Sequence, residues 1–172
     1  VFDLDHLELP LNILFPVSKK TSFQAIGGDT KIVEPSSLTI QDQKGIQAIA
    51  GIIGGQETYV SKNTKSIAVE AAFFNPDKIA NQARKYGLAT DASHRFERGV
   101  DPELQQQTLA RFLFLLKGIA QYDSIGCYEG SSVKLKPKVI SLSVERFNNF
   151  SGLLLSAKKI KLFLETLGFT SM

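Results

Sequence analysis

One stretch constrains the chain more than any other: Thr90-Asp91-Ala92-Ser93-His94-Arg95-Phe96-Glu97-Arg98-Gly99-Val100-Asp101-Pro102. Charges of both signs alternate along it around a few apolar residues. That pattern predicts a fixed network of ion pairs among Asp91, Arg95, Glu97, Arg98 and Asp101 at a strand–helix junction. The closing Asp101-Pro102 reads as an N-cap followed by the first helical position. A helix from there to about Ala120 would bury Leu104, Thr108, Leu109, Phe112, Leu113, Leu116 and Ile119 along one stripe.

The residues before this stretch read as a sheet. Short strands are expected within residues 1–26, where the apolar run Leu11–Phe15 is halted by Pro16. Gly27-Gly28-Asp29 is turn chemistry, Lys31–Glu34 reads as a strand stopped by Pro35, and Leu38–Ile40 as another. After a turn over Gln41–Gly45, the nearly continuous apolar run Ile46–Ile53 predicts a strand buried on both faces and ending in Gly54-Gly55. Ser66–Phe74 predicts a strand with Ala68, Glu70 and Ala72 on one face. Asn75-Pro76 then caps a helix with Ile79, Ala83 and Tyr86 at helical spacing, ended by Gly87.

The expected class is α+β, a mixed sheet with flanking helices over residues 1–130, followed by a partial second domain over 136–172, with the boundary near 130–136 at Gly130-Ser131-Ser132. Beyond Pro137, Val139–Val144 alternates as a strand, and Ser156 can cap a helix carrying Ile160, Phe163, Leu164 and Leu167, closed by Gly168. Val1 lies inside what reads as a strand or turn and the only methionine is Met172, so both ends read as cut from a longer chain. A hydrophobic content of 43% supplies a core, and a net charge of +3 permits contact with nucleic acid without marking a dedicated binder. The single Cys127 excludes an intramolecular disulfide and fits a reducing, cytoplasmic compartment. No run of eighteen apolar residues reads as a membrane span. Two histidines and one cysteine show no metal-ligand spacing, so no metal is expected.

Glu70 is the first candidate for chemistry. Its alanine neighbours leave room beside a carboxylate, and Gly54, Gly55, Thr90 and Ala92 stand at other segment ends. If these ends meet, they line a small cavity with glycine, alanine, one hydroxyl and one acid, where backbone amides can approach a ligand. The competing reading places Glu70 on an outward edge-strand face, paired with a lysine. Ser93 and His94 are adjacent, but neighbours on a strand point apart, so no catalytic pair is expected and no catalytic residue is assigned. Arg95 and Arg98, with Arg84 and Lys85, could hold phosphate; the alternative engages Arg95 and Arg98 within the junction. Lys158, Lys159 and Lys161 read as a solvated helix face.

The stretch 90–102, preceded by Gly51-Ile52-Ile53-Gly54-Gly55, resembles the B3/B4 region of the bacterial phenylalanyl-tRNA synthetase β subunit, and the tail from about 136 resembles the start of its B5 domain, with Leu167-Gly168-Phe169 in place. The resemblance implies an editing site that hydrolyses tyrosine wrongly esterified to tRNA(Phe). It implies Glu70, in Val69-Glu70-Ala71-Ala72-Phe73-Phe74, as the reader of the tyrosine hydroxyl. It likewise implies Thr90, Ala92 and Gly54 as pocket residues, with a water attacking the ester. The family's His-x-Phe-Asp is represented by Val1-Phe2-Asp3, which puts the histidine position just before Val1. The parent is implied to be an α2β2 enzyme whose α subunit binds ATP and magnesium, neither needed by this segment. Arg84 and Lys85 remain possible tRNA contacts. The alternative function is a structural, tRNA-positioning module without editing.

Overall fold

The computed structural model describes residues 1–15, 19–123, 125–130 and 138–170. Pro16, Ser131-Ser132 and Pro137, at which the sequence predicts a strand stop and a domain boundary, lie outside the described residues. The chain divides into two compact units, Val1–Cys127 and Tyr128–Met172. Antiparallel sheets and helices make it α+β, as the sequence predicts.

The first unit is built on a four-stranded antiparallel sheet of β2 (Asn12–Leu14), β5 (Thr39–Gln41), β6 (Ile46–Ile49) and β7 (Ile53–Gly54), in the order β2-β5-β6-β7. Ile13 faces Ile40, Ala48 faces Gly54, and a bulge interrupts β5 against β6 at Ile40/Gln41. A hairpin of β3 (Thr21–Gln24) and β4 (Thr30–Val33) turns through Gly27 and Gly28, both at positive φ. It joins the larger sheet by a bridge between Ala25 and Gly55. β1 (Phe2–Asp3) pairs antiparallel with β8 (Ile67–Ala68), Phe2 opposite Ala68 and Asp3 opposite Ile67.

The apolar run Ile46–Ile53 is not one strand. It folds back on itself: Gly51 takes φ +67°, and the Ile52 amide donates to the Ile49 carbonyl at 3.0 Å, closing a turn between β6 and β7. An apolar run cannot distinguish a long buried strand from a tight hairpin when both are buried, as Ala48, Ile49, Ala50 and Ile52 are here. The predicted strand Ser66–Phe74 shrinks to Ile67–Ala68, because only Phe2-Asp3 pairs with it. Beyond Ala68 the chain runs on to Phe74, whose ring enters the core.

Asn75 caps α1 (Pro76–Ile79), its side-chain oxygen accepting from the Asp77 amide at 2.9 Å, with Pro76 in the first helical turn. The predicted single helix is broken at Ala80-Asn81, where Asn81 takes φ 62°, and resumes as α2 (Gln82–Lys85). The break leaves Ile79, Ala83 and Tyr86 all buried, so the predicted stripe is kept. Gly87 at φ +65° then turns the chain away. Tyr86 locks α2 to the sheet: its hydroxyl accepts from the Glu34 amide at 3.1 Å and hydrogen-bonds the fully buried Ser37 hydroxyl, which reaches Gln82 Oε1 at 3.3 Å.

The predicted strand–helix junction is helical. α3 (Asp91–Phe96) occupies it, and α4 (Gln105–Leu116) begins four residues after Asp101. The Asp101 carboxylate instead accepts from the Glu103 amide at 2.9 Å, forming the turn before α4. Leu109, Phe112, Leu113 and Leu116 are half-buried, whereas Leu104, Thr108 and Ile119 are exposed, so the predicted stripe is covered only in part.

In the second unit, α5 (Val144–Ser151) and α6 (Ala157–Thr166) are each capped by a serine: Ser143 accepts from the Arg146 amide and Ser156 from the Lys159 amide. The side-chain amide of Asn148 spans the connection, donating to Leu155 O at 2.9 Å and accepting from Leu155 N at 3.1 Å. The predicted strand over Val139–Val144 is absent among the described residues, and Val144 opens α5 instead. Alternation alone cannot make a strand without a partner to pair with, and Ser143 supplies a helix cap there.

Asp42 pins the turn between β5 and β6. Burial alone would push its carboxyl up, but donors from the Glu8, Lys44 and Gly45 amides and the Gln47 side chain, at 2.8–3.1 Å, outweigh that and hold it below the usual carboxylate value. The ionised form therefore stabilises the fold above the ordinary carboxylate range, and that stabilisation is lost as pH falls through the depressed value. Asp42→Ala is expected to cost about 1–3 kcal/mol at neutral pH, with the gap to the native protein narrowing in acid. Urea denaturation at the two pH values checks it.

Candidate functional site

Thr90 joins the segments that the sequence singles out. Its hydroxyl donates to the Ile52 carbonyl at 2.8 Å and accepts from the Ser93 amide at 3.0 Å, capping α3. Ser93 returns the bond: its hydroxyl accepts from the Thr90 amide at 3.2 Å, completing a capping box, and also lies 2.9 Å from the Thr90 carbonyl. The cap thereby ties the α3 N-terminus to the β6–β7 turn. Gly51 lies against both Phe96 and Phe74, whose rings meet at 5.1 Å between centroids. The β6–β7 turn thus meets the start of α3 at Ile52 and both Phe74 and the end of α3 at Gly51. The sequence held the signal, a threonine N-cap followed by an aspartate in the first turn, but the strand reading of this stretch hid it.

Thr90→Val is expected to cost about 1–3 kcal/mol, because it removes the cap and leaves the Ile52 carbonyl without its donor. Thr90→Ser should restore most of the loss. Thermal unfolding of the three proteins checks both.

The two glycines differ. A Cβ on Gly54 would meet the end of the exposed Ile26 side chain at 3.1 Å. A Cβ on Gly55 would lie 2.9 Å from the Gln47 carbonyl oxygen and 3.1 Å from the Phe23 ring, and the Gly55 amide already donates to that carbonyl at 2.8 Å. Gly55 is thus filled by sheet packing, and the backbone approach predicted for a ligand there is taken by the protein itself. Gly54 keeps only a movable methyl over it.

Glu70 follows β8 by two residues and has no hydrogen bond or ion pair among the described residues, so the lysine partner of the competing reading is not found. Desolvation pushes its carboxyl above the usual value of 4.5. The residue is nonetheless exposed to solvent. Protein atoms crowd the side chain while water still reaches the carboxylate. Solvent screens such a charge, so the direction of the shift carries the argument and not its size. Ala71 and Ala72 beside it are half-buried, and Ala92 is half-buried on α3.

The charged stretch behaves differently from its expectation. Of the predicted network, only Glu97 and Arg98 pair, at 3.4 Å and partly exposed. Asp91, Arg95 and Asp101 make no ion pair among the described residues. Arg98 turns back along α3, donating to the His94 carbonyl at 2.9 Å and to its Nδ1 at 2.7 Å, which leaves the imidazole as acceptor. A six-residue helix spreads charges that a strand reading places close together, and most of them face water. Ser93 and His94 form no pair: Ser93 is buried in the capping box and His94 is engaged by Arg98.

Among the described residues, the first unit carries open clefts away from Glu70. One, of about 550 Å³, is lined by Lys31, Ile32, Glu34, Ser36, Lys85 and Tyr86. Another, of about 500 Å³, is lined by Gln24, Ile26, Gly27, Gly28, Gln56 and Tyr59, and adjoins Gly54 through Ile26. Neither is lined by Glu70, Thr90 or Ala92. Among the described residues no group of three or more His, Cys, Asp or Glu could hold a metal ion, and no helix is long and apolar enough to cross a membrane.

Comparison with known proteins agrees with the resemblance. Residues 1–121 match the B3/4 domain family. The chain is 38% identical over 98% of its length to the phenylalanine–tRNA ligase beta subunit of Carboxydothermus hydrogenoformans, and equally to that of Idiomarina loihiensis, covering 21% of each. It is 41% identical over 84% of its length to the same subunit of Pasteurella multocida, covering 18% of it. The chain thus spans about a fifth of the length of these relatives. With residues 1–121 matched and relatives 38–41% identical over most of its length, the chain belongs to the B3/4 domain family and corresponds to a segment of the phenylalanine–tRNA ligase beta subunit.

Proposed function

We propose that this segment edits: it hydrolyses the ester of tyrosine wrongly attached to tRNA(Phe), within an enzyme that attaches phenylalanine to that tRNA. Glu70 carries the reading. An acceptor-only carboxylate, crowded by protein yet open to a ligand and lacking any partner among the described residues, is suited to receive a phenolic proton. Phenylalanine and tyrosine differ by that one hydroxyl, which a largely apolar synthetic site excludes only weakly. A second site that hydrogen-bonds the hydroxyl reverses the preference, because phenylalanine would leave the carboxylate desolvated and unpaired.

Gly54, Thr90 and Ala92 form the small-residue side of this site. The Thr90 hydroxyl donates to Ile52 O, so toward substrate it offers only its remaining acceptor capacity. The attacking water is held by backbone groups and by the substrate, with no activated nucleophile in this chain. Continued two rungs past Phe2–Ala68, the register of β1 against β8 would set the position before Val1 opposite Glu70. That is where the family histidine of the His-x-Phe-Asp pattern would stand.

Residues 1–130 are the editing domain in this reading and 136–172 open a B5-like domain. The parent works with an α subunit and tRNA(Phe) in the cytoplasm, Arg84 and Lys85 touch the tRNA, and ATP and magnesium serve aminoacylation outside this segment. A scaffold without editing is the second reading, favoured by the absence of Glu70 from both clefts. Deacylation of tyrosyl- and phenylalanyl-tRNA(Phe) by the whole synthetase separates them. Selective hydrolysis of the tyrosyl ester supports editing, and equal sparing of both overturns it.

A further inference from the structure

The cleft formed by Lys31, Ile32, Glu34, Ser36, Lys85 and Tyr86 lies outside the amino-acid site of the editing reading, which assigns Lys85 a tRNA contact without saying to what, and its chemistry is distinctive. Its floor is fixed, because Tyr86 is buried and bound to Ser37 and to the Glu34 amide. The Lys31 side chain is only 18% exposed, its ammonium 3.3 Å from the exposed Asp29. Glu34 is already neutralised by Lys20 at 2.8 Å. The side chains of Lys85 and the neighbouring Arg84 have no ion-pair or hydrogen-bond partner among the described residues. Ser36 adds a hydroxyl and Ile32 an apolar side chain, 51% exposed. Cations beside one donor hydroxyl suit a phosphodiester, and an exposed isoleucine suits the face of a ribose or base.

Distance along the chain places the cleft near the editing site. Lys85 precedes Thr90 by five residues, a span of at most about 18 Å if fully extended. A single-stranded 3′ end whose terminal ribose carries the ester at Glu70 could therefore lay a preceding phosphate here.

We propose that the Lys31–Ser36–Lys85 cleft binds a backbone phosphate of the single-stranded RNA 3′ end, one or a few nucleotides before the esterified ribose. The proposal rests on the editing reading for its substrate but not for its chemistry.

The test compares two substrates in the whole synthetase, tyrosyl-tRNA(Phe) and 3′-tyrosyl-adenosine, which lacks any phosphate. For Lys85→Gln and for Lys31→Gln with Lys85→Gln, KM for deacylating the tRNA is expected to rise severalfold with kcat nearly kept. Hydrolysis of tyrosyl-adenosine should be unchanged. The dependence of log KM on log salt should flatten by about 0.7 for each phosphate that is no longer neutralised. Unchanged KM and salt slope for the tRNA would overturn the proposal, as would equal loss on both substrates, which marks a defect of the amino-acid site or of the fold. Binding of an uncharged fluorescent CCA trinucleotide is measured alongside. Weaker binding by the variants supports the cleft even if the native enzyme deacylates nothing, in which case the editing reading alone fails. Equal binding by native and variant proteins sinks the cleft whatever the hydrolysis shows.

Discussion

Glu70→Ala in the whole synthetase is expected to slow hydrolysis of tyrosyl-tRNA(Phe) by about 10–100-fold, corresponding to about 1–3 kcal/mol for one hydrogen bond to a charged acceptor. Hydrolysis of phenylalanyl-tRNA(Phe) should stay at its low level or rise, because the desolvated carboxylate that opposes phenylalanine is gone. Glu70→Gln should fall between, since its amide oxygen still accepts the phenolic proton but without charge. The same variants separate function from folding. The Glu70 carboxyl is held above its ordinary value by desolvation, so its ionised form is disfavoured in the fold. A raised acid loses stability as pH climbs from the ordinary carboxylate value through the folded one. Glu70→Gln is therefore expected to be at least as stable as the native protein at neutral pH, with the difference vanishing in acid below the carboxylate range. Deacylation kinetics and thermal unfolding, read side by side, check both halves. A Glu70→Ala enzyme that keeps full selectivity would remove Glu70 from the reading role, and one that unfolds at neutral pH would show that the residue serves the fold.

Gly55→Ala is expected to destabilise the first unit by about 2–4 kcal/mol, beyond the usual cost of an added methyl in a packed interior, because the clash is with backbone. The new Cβ would lie 2.9 Å from the Gln47 carbonyl oxygen and 3.1 Å from the Phe23 ring. That carbonyl, on β6, is pinned by the Gly55 amide, and Phe23 belongs to the hairpin bridged to Gly55 through Ala25, so relief of the clash strains the β6–β7 link or the link to the β3–β4 hairpin. Gly54→Ala meets only the flexible end of Ile26 and should change stability by less than about 1 kcal/mol. If Gly54 borders the substrate, Gly54→Ala loses tyrosyl-ester hydrolysis while staying folded, and the neighbouring Gly55→Ala loses the fold first. Urea midpoints together with deacylation rates for the pair check this. Two adjacent glycines then separate a packing requirement from a substrate requirement.

The fold class was legible in the sequence. Turn residues at Gly27-Gly28 and Gly45, apolar strands between them and the Asn75-Pro76 cap lead to an α+β chain with its helices after its sheet, and the structure has this order. The stripe Ile79, Ala83 and Tyr86 is buried as periodicity predicts, even though the helix is broken at Asn81. Lengths and partners were not legible. Whether Ile46–Ile53 runs straight or turns at Gly51 depends on which strand waits alongside, and the strand predicted over Ser66–Phe74 pairs only at Ile67–Ala68. The charges of Asp91, Arg95, Glu97, Arg98 and Asp101 look like a network when written in a line, but α3 carries only Asp91 and Arg95, the others follow it, and most of the five stand in water.

Residue types, caps and periodicities act within a few positions of one another, so the sequence alone determined the family, the fold class and the candidates Glu70, Gly54, Thr90 and Ala92. Tertiary structure decided what each candidate is free to do. It spends the Thr90 hydroxyl on Ile52, fills the space beside Gly55 with Gln47 and Phe23, leaves Gly54 under one movable methyl, and leaves Glu70 desolvated without a partner among the described residues. These outcomes depend on atoms brought together from distant positions in the chain, and local sequence carries no record of which of them will be neighbours.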